Sequence, residues 1–290
     1  MISVLVPFRA NGPRDVRNKT WKWIEQRWRH LLPEAELCVG TDTGQPFSKS
    51  VAVNDAYSKS HGDMLVIVDA DSWVEKGSLE TGIHNAYVRE HLVVPWWTAY
   101  RLTKADSEEI MKHDPAGENP VTIKMRENAA GTGPGPESAA MVLCIQRVSF
   151  ERVGGFDPRF RGWGSEDVSF GLSCWTLLGR NEYGLGEAFG LYHPQPKNAD
   201  GMRVWKHDPG LLNLSIYDNE YKKAQGRPTL MEAVCRQHPL AGASVPVGRQ
   251  PHLNTDDMVT MPDPDKRDAY VTTTTTTEQV YTFDGEKIEI

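Results

Sequence analysis

The sequence predicts an α/β fold: a Rossmann-like, mostly parallel central sheet flanked by helices. Three observations predict it. Nearly unbroken apolar runs recur at Ile2–Pro7 (ISVLVP), Glu36–Gly40 (ELCVG) and Met64–Val68 (MLVIV). Helical patterns separate them, and the connections are short. Runs without polar alternation read as strands buried on both faces. A β-α-β-α-β order with short links gives a parallel sheet.

Each element has its own reason. A helix over Asp15–Leu32 follows from Trp21, Ile24, Trp28 and Leu31/Leu32 at helical spacing, with Pro33 as its stop. Trp23 lies off that stripe and is expected to be partly exposed. A second helix runs over Ser48–Ser60, with Val51, Ala52, Asp55 and Ala56 at its centre. Further along, a helix is expected at Ser78–Glu90, a strand at Leu92–Pro95 and a polar, Gly/Pro-rich stretch at His113–Glu137. Then come a strand at Ala139–Cys144, helices at Val148–Val153 and Ser165–Leu178, and a strand at Glu187–Tyr192. Helical segments follow at about Pro209–Gln225 and Thr229–Arg236. From Ala243 to Thr277 Pro, Asp and Thr dominate, which reads as a linker or mobile tail. Val280–Ile290 reads as a hairpin turning at Asp284-Gly285. The organisation is thus a catalytic-sized domain over 1–200, a helical extension over 201–242 and a tail over 243–290.

Composition narrows the function classes. The 290 residues are 39% apolar, 24% charged and 9% aromatic, which excludes global disorder and a small disulfide scaffold. A net charge of −7 disfavours nucleic-acid binding through bulk charge. No apolar stretch is long enough to span a bilayer, and the N-terminus lacks a basic region before its apolar run. A cytoplasmic protein is therefore expected. Cys38, Cys144, Cys174 and Cys235 are far apart with no CxxC, so buried reduced thiols are expected and a zinc site is not.

Two motifs carry chemistry. Asp69-Ala70-Asp71 leaves the third strand, at the edge of a parallel sheet where ligands bind. Two carboxylates one residue apart would repel there, so a cation shared with an anionic ligand is expected. Hard oxygen ligands suit Mg²⁺ or Mn²⁺ bound to a diphosphate. A solvated strand-end turn is the plain alternative. The second motif is Gly162-Trp163-Gly164-Ser165-Glu166-Asp167. Its glycines allow close backbone approach, and Trp163 offers a flat face to a sugar or nucleotide. Ser165 can cap the helix, and Glu166 and Asp167 then suit its first turn. Read functionally, they are an acceptor-binding acid beside a general base.

These residues carry a resemblance. Val6-Pro7-Phe8-Arg9, the block Phe47–Asp71, the block Phe150–Asp167 (FERVGGFDPRFRGWGSED) and His193 follow one another in the order found in GT-A glycosyltransferases of the family-2 type. The second half resembles the β-1,4-galactosyltransferase C-terminal module. The likeness covers roughly residues 1–200, and the VGGF…GWGxED combination is its most diagnostic part.

The resemblance implies roles. Pro7, Phe8 and Arg9 would line the nucleotide pocket, and Arg9 would reach a phosphate. Lys49 would face the donor. Asp69 would lie near the ribose or metal, while Asp71 and His193 would ligate the metal, with His207 as the fallback. Trp163 and Gly164 would form the floor shared by donor and acceptor. Glu166 would hold acceptor hydroxyls, and Asp167 would be the catalytic base. Two positions depart from the galactosyltransferases: Val168 replaces an acid, and Gly190 replaces a sulfur ligand. The Glu166-Asp167 pair favours inversion, since retaining relatives carry Glu-Asn there.

The function implied is metal-dependent, inverting transfer of a hexose-type sugar from a nucleotide diphosphate donor, UDP above others, to a hydroxyl. The acceptor would be a glycan, a small glycoside or a protein, in a bacterial or phage setting. Two other classes stand beside it: a sugar nucleotidyltransferase, which would release pyrophosphate, and a non-catalytic nucleotide-sugar-binding module. Pro194–Asp208, with Lys197, Arg203, Lys206 and His207, reads as a lid over the diphosphate or a plain loop.

Overall fold

A computed structural model of the chain describes residues 1–10, 12–132, 140–194, 209–238, 240, 270–274, 277–281 and 287–288. Two units are distinguished, Met1–Pro246 and Val247–Ile290.

The first unit is built on a six-stranded sheet in the order β2-β1-β3-β8-β5-β9. Strands β1 (Ile2–Pro7), β2 (Glu36–Gly40) and β3 (Met64–Val68) are the three apolar runs. They pair in parallel, with Val4 opposite Leu37 on one side and Val66 on the other. Helices α1 (Val16–Leu31) and α2 (Lys49–Ser58) make the crossovers. The α2 contact is very close: a Cβ on Gly40 would sit 1.9 Å from the Ala52 carbonyl oxygen. No larger side chain fits there without moving the helix, so this glycine sets how near α2 lies to the strand ends.

The sheet is less uniform than expected. After β4 (Ser72–Val74), α3 (Lys76–Arg89) and β5 (Val93–Val94) come β6 (Thr98–Arg101), α4 (Lys104–Ile110), α5 (Ile123–Asn128) and β7 (Ala130–Thr132). Strand β8 (Val142–Gln146) then enters antiparallel to both β3 and β5. It starts later than the expected Ala139, because Met141 takes a left-handed backbone (φ 62°). The short α6 (Arg147–Arg152), α7 (Glu166–Leu178), β9 (Glu182–Tyr183) and β10 (Glu187–Gly190) follow. A second sheet has the order β4-β10-β6-β7. The stretch 113–137, read as polar and Gly/Pro-rich, contains α5, whose first turn is capped by the Thr122 hydroxyl, and β7.

Aromatic packing joins the second sheet to α1. Trp28 and Trp73 are fully buried, and the Trp73 ring packs against Trp23 and Phe189, each at 5.3 Å. Trp23 is therefore inside, contrary to the expectation from its place off the α1 stripe. Its indole Nε1 donates to the His113 carbonyl at 3.0 Å, so the second sheet and its loop bury a face that the helical pattern alone left open. The four cysteines are buried and free.

Helices α8 (Pro209–Ile216), α9 (Lys222–Ala224) and α10 (Pro228–Cys235) belong to the same unit, with a π-helical turn over Tyr217–Tyr221. The helix expected over 209–225 is thus interrupted. No helix among the described residues is long and apolar enough to cross a membrane. In the second unit, β11 (Tyr270–Thr274), β12 (Thr277–Tyr281) and β13 (Lys287–Ile288) form an antiparallel sheet. The threonine run read as linker lies partly in β11 and β12, as β-branched residues favour. The final strand pairing agrees with the expected hairpin, while its turn at Asp284-Gly285 lies outside the described residues.

Candidate active site

The site gathers at the C-terminal ends of β1, β2 and β3. At the end of β1, Phe8 donates its N–H to the Gly40 carbonyl at 2.8 Å and packs its ring on Trp21 at 5.6 Å. Pro7 is the last residue of the strand. Arg9 spends its guanidinium locally. Nη1 donates to the Asp42 and Gly44 carbonyls at 2.7 and 2.6 Å, and the group lies 4.9 Å over the Phe47 ring. It organises the 42–47 loop rather than standing free to meet a phosphate.

Asp69 and Asp71 leave β3 toward different partners. The Asp69 carboxylate meets Lys49 Nζ at 2.6 Å. Asp71 faces His193, with Oδ2 and Nδ1 2.5 Å apart, and its other oxygen accepts from the Ser72 hydroxyl at 2.8 Å. His193 reaches this point because β10 ends early. The Leu191 N–H turns to the Asp71 carbonyl at 2.9 Å, and the Tyr192 N–H turns to the Ser107 hydroxyl at 2.8 Å. The strand expected to run to Tyr192 therefore stops at Gly190, and the chain carries His193 to the β3 end. Hydrogen bonding to Asp71 raises the His193 pKa. Burial pushes the Asp71 carboxyl up, but His193 outweighs it and holds it below the ordinary range.

Lys49 links the two acidic motifs. From the first turn of α2 its ammonium also lies 2.8 Å from Asp167 Oδ1 and 3.0 Å from Oδ2. Asp167 is in the first turn of α7, and it is placed there by the glycine-rich turn before it. Gly162 and Gly164 take φ of 75° and 111°, and Ser165 itself takes φ 70°. Ser165 does not cap the helix with its side chain, as had been expected. Glu166, the first residue of α7, instead reaches back to the turn and accepts the Gly164 N–H at 3.0 Å. Glu166 is 9% exposed, whereas Trp163 beside it is 45% exposed. Burial pushes the Asp167 carboxyl up to about 7, with Lys49 pulling down and Glu166 and Asp69 adding to the rise. Burial also raises Glu166. Burial pulls Lys49 down, but the carboxylates of Asp167, Asp69 and Glu166 outweigh it and hold the group firmly charged.

Sequence reasoning missed several supports. Asp42 is buried, accepts from the Gly44 and Ser48 N–H groups at 3.0 and 2.9 Å, and pairs with Arg161 at 3.1 Å. Asn54 brackets Phe156 through both its N–H and its carbonyl, at 3.1 and 2.7 Å. Asp42 sits in a turn-rich run that gives no periodic signal. Asn54 carries only the signal of a polar residue among the apolar positions of α2. The proposed lid at 195–208, with His207, lies outside the described residues.

The family match now fits onto this geometry. Residues 35–178 match the model described as glycosyltransferase like family 2. That segment is a glycosyltransferase family 2-like domain. The domain contains Lys49, Asp69, Asp71, Trp163, Gly164, Glu166 and Asp167, while Pro7–Arg9 and His193 are supplied by flanking chain. No curated protein matches the chain in sequence. Among solved structures it is similar to the catalytic domain of Drosophila β-1,4-galactosyltransferase 7 in complex with xylobiose, at 15% identity and TM-score 0.37, over 64% of this chain and 66% of that one. It is similar to GalNAc-T7 with UDP, GalNAc and Mn²⁺ at 14% identity and TM-score 0.42, over 82% and 54%. It is also similar to residues 1–349 of S. aureus TarS at 12% identity and TM-score 0.40, over 66% and 60%. The chain spans less than two-thirds of the length of each.

The donor set bears on a metal. Among the described residues no three His, Cys, Asp or Glu side chains converge on one point. Asp69 is turned toward Lys49, which leaves Asp71 and His193 as a facing pair. A carboxylate and an imidazole sharing one proton form a place where a divalent ion can replace that proton, and oxygen with nitrogen suits Mn²⁺. Two protein donors fit an ion whose other ligands come from a diphosphate and water.

Proposed function

We propose that the protein transfers a hexose-type sugar from a UDP-sugar to an acceptor hydroxyl with inversion. The observation that carries the reading is that Asp69 and Asp167, from the two acidic motifs, meet across one Lys49 ammonium. The printed names of the similar structures include UDP, UDP-Gal, manganese and xylobiose, which agrees with such a reading. Those names describe those proteins.

The roles follow from the chemistry of each group. Pro7 and Phe8 border the nucleobase end, beside the loop that Arg9 organises. Asp69 faces the ribose. Asp71 and His193 hold Mn²⁺ or Mg²⁺, which offsets charge on the diphosphate. Trp163 and Gly164 form the floor between the sugars, and Glu166 accepts from acceptor hydroxyls. Asp167 takes the proton of the attacking hydroxyl. The acceptor oxygen bonds to the anomeric carbon while the bond from that carbon to the β-phosphate oxygen breaks, and UDP leaves with the electron pair. A carboxylate with a pKa raised to about 7 suits this work, because a base operates best with a pKa near the working pH.

The test is a screen of nucleotide sugars for thermal stabilisation and for UDP release with Mn²⁺. Stabilisation by UDP-sugars that EDTA removes, together with release of UDP, supports the reading. Release of pyrophosphate from UTP and a hexose 1-phosphate, tested in parallel, identifies a nucleotidyltransferase instead, and binding without turnover on any acceptor identifies a binding module.

A further inference from the structure

Asn213, in the middle of α8, is an amide set among leucines (LLNLSI) and is only 1% exposed. A carboxamide has two N–H donors and an acceptor oxygen. Here both poles are spent on one short stretch of chain. Nδ2 donates to the Arg161 carbonyl at 2.9 Å and to the Gly164 carbonyl at 3.0 Å, and Oδ1 accepts the Arg161 N–H at 3.2 Å. Gly164 is held at its N–H as well, by Glu166 Oε2 at 3.0 Å. Trp163 lies between the two clamped peptides.

The clamp has firm backing on both sides. Arg159 pairs with both carboxylate oxygens of Glu220, at 2.9 and 2.8 Å, and with Asp157 at 2.7 Å; the Tyr221 hydroxyl donates to Asp157 at 3.0 Å. These bonds fix the turn that follows α8 against the loop. On the opposite side the Gly162 N–H donates to the Phe47 carbonyl at 2.9 Å, and the Ser48 hydroxyl donates to the Phe160 carbonyl at 2.7 Å. Residues 160–164 are thus strung between the 42–48 loop and Asn213.

We propose that Asn213 is a positioning residue for the acceptor side of the site: it sets the pose of Trp163 and, through the Gly164 peptide, that of Glu166. The acceptor role rests on the sugar-transfer reading, but the clamp itself does not. A residue that only fills space would be replaced well by leucine. A hydrogen-bonding clamp would not, and aspartate would be worse still, since its carboxylate would face two carbonyl oxygens without a proton to offer.

The experiment is ¹⁹F NMR of the full chain labelled with 5-fluorotryptophan, the Trp163 line being assigned by W163F. In N213L, N213A and N213D the Trp163 line should shift by more than its own width, most in N213D, while lines of tryptophans remote from the loop stay in place. A Trp163 line unchanged in N213L and N213A overturns the proposal, as does N213L matching wild type while only N213A shifts. Should the variants not fold, hydrogen exchange in the wild-type protein decides. The Arg161 amide, accepted by Asn213, should exchange at least about tenfold more slowly than an unstructured amide. Exchange at the unstructured rate overturns the clamp. Neither readout needs a donor or an acceptor, so a failure of the sugar-transfer reading and a failure of the clamp are seen separately.

Discussion

Lys49 and Asp167, 118 residues apart in the chain, are paired at 2.8 Å, and the same ammonium holds Asp69 at 2.6 Å. One cation therefore stands between the acid that would take a proton and the acid that would face the donor. Most of the chemistry expected of the site depends on that balance of charge.

The pH dependence follows directly. Burial sets the Asp167 pKa at about 7, and a base must be deprotonated to work. Transfer measured as kcat/KM should rise with pH, reach half its plateau near pH 7, and fall about tenfold per unit well below it. A profile flat from pH 5.5 to about pH 8.5 would remove Asp167 from the base role.

Lys49→Met takes away the cation while leaving Asp167 buried beside Glu166 and Asp69. The carboxyl then loses its one named stabilising partner, so its pKa rises further and the acidic limb moves to higher pH. Lys49→Arg keeps the charge and should hold the limb near its wild-type position. Superimposable profiles for the two variants would show that the charge of Lys49 does not tune the base.

Metal dependence should concentrate on one facing pair. With two facing donors among the described residues, loss of either should be severe. Asp71→Asn and His193→Ala should each raise the Mn²⁺ concentration needed for half-maximal UDP binding by about tenfold or more. Calorimetric titration of UDP at a series of Mn²⁺ concentrations checks this. Asp69→Asn, whose carboxylate is engaged by Lys49, should shift that concentration less.

Much of the fold could be read in advance, for a physical reason. The runs of β1 and β3 are buried on both faces, so burial alone writes them into the sequence, while β2, at the edge of the sheet, is fully buried only at Cys38 and Gly40. Strands β4 and β6 are short, and their burial comes from the second sheet and its aromatic packing, which no local pattern announces. Trp23 shows the same limit: the helix pattern places it off the core stripe, and only a distant loop covers it. In the site, the acids were legible because Asp69 and Asp71 would repel at a strand end without a cation, and because Glu166 and Asp167 stand in the specific GWGSED block. Lys49's double pairing and Asn213's clamp are tertiary facts, set by how α2 and α8 approach the GWGSED turn.

The VGGF segment should carry stability as well as position. Phe156 is fully buried and stacks on Phe170 of α7 at 4.1 Å. Phe156→Ala should cost about 3–5 kcal/mol, by lost burial and the cavity left behind. Urea unfolding would show this as a lower midpoint at an unchanged slope. A loss below about 1 kcal/mol would mean that the loop collapses onto the gap and that the stack does not fix α7.

The most direct measurement of the central claim is product analysis of wild type and Asp167→Asn with UDP-hexose, Mn²⁺ and an acceptor panel, following the nucleotide released and the anomeric configuration of the new bond by NMR. The account predicts UDP and an inverted linkage from wild type. For Asp167→Asn it predicts a rate lower by about 10²–10⁴-fold with UDP affinity nearly intact. Hexose 1-phosphate in place of UDP as the released product, a retained configuration, or equal loss of binding and turnover in the variant would contradict it.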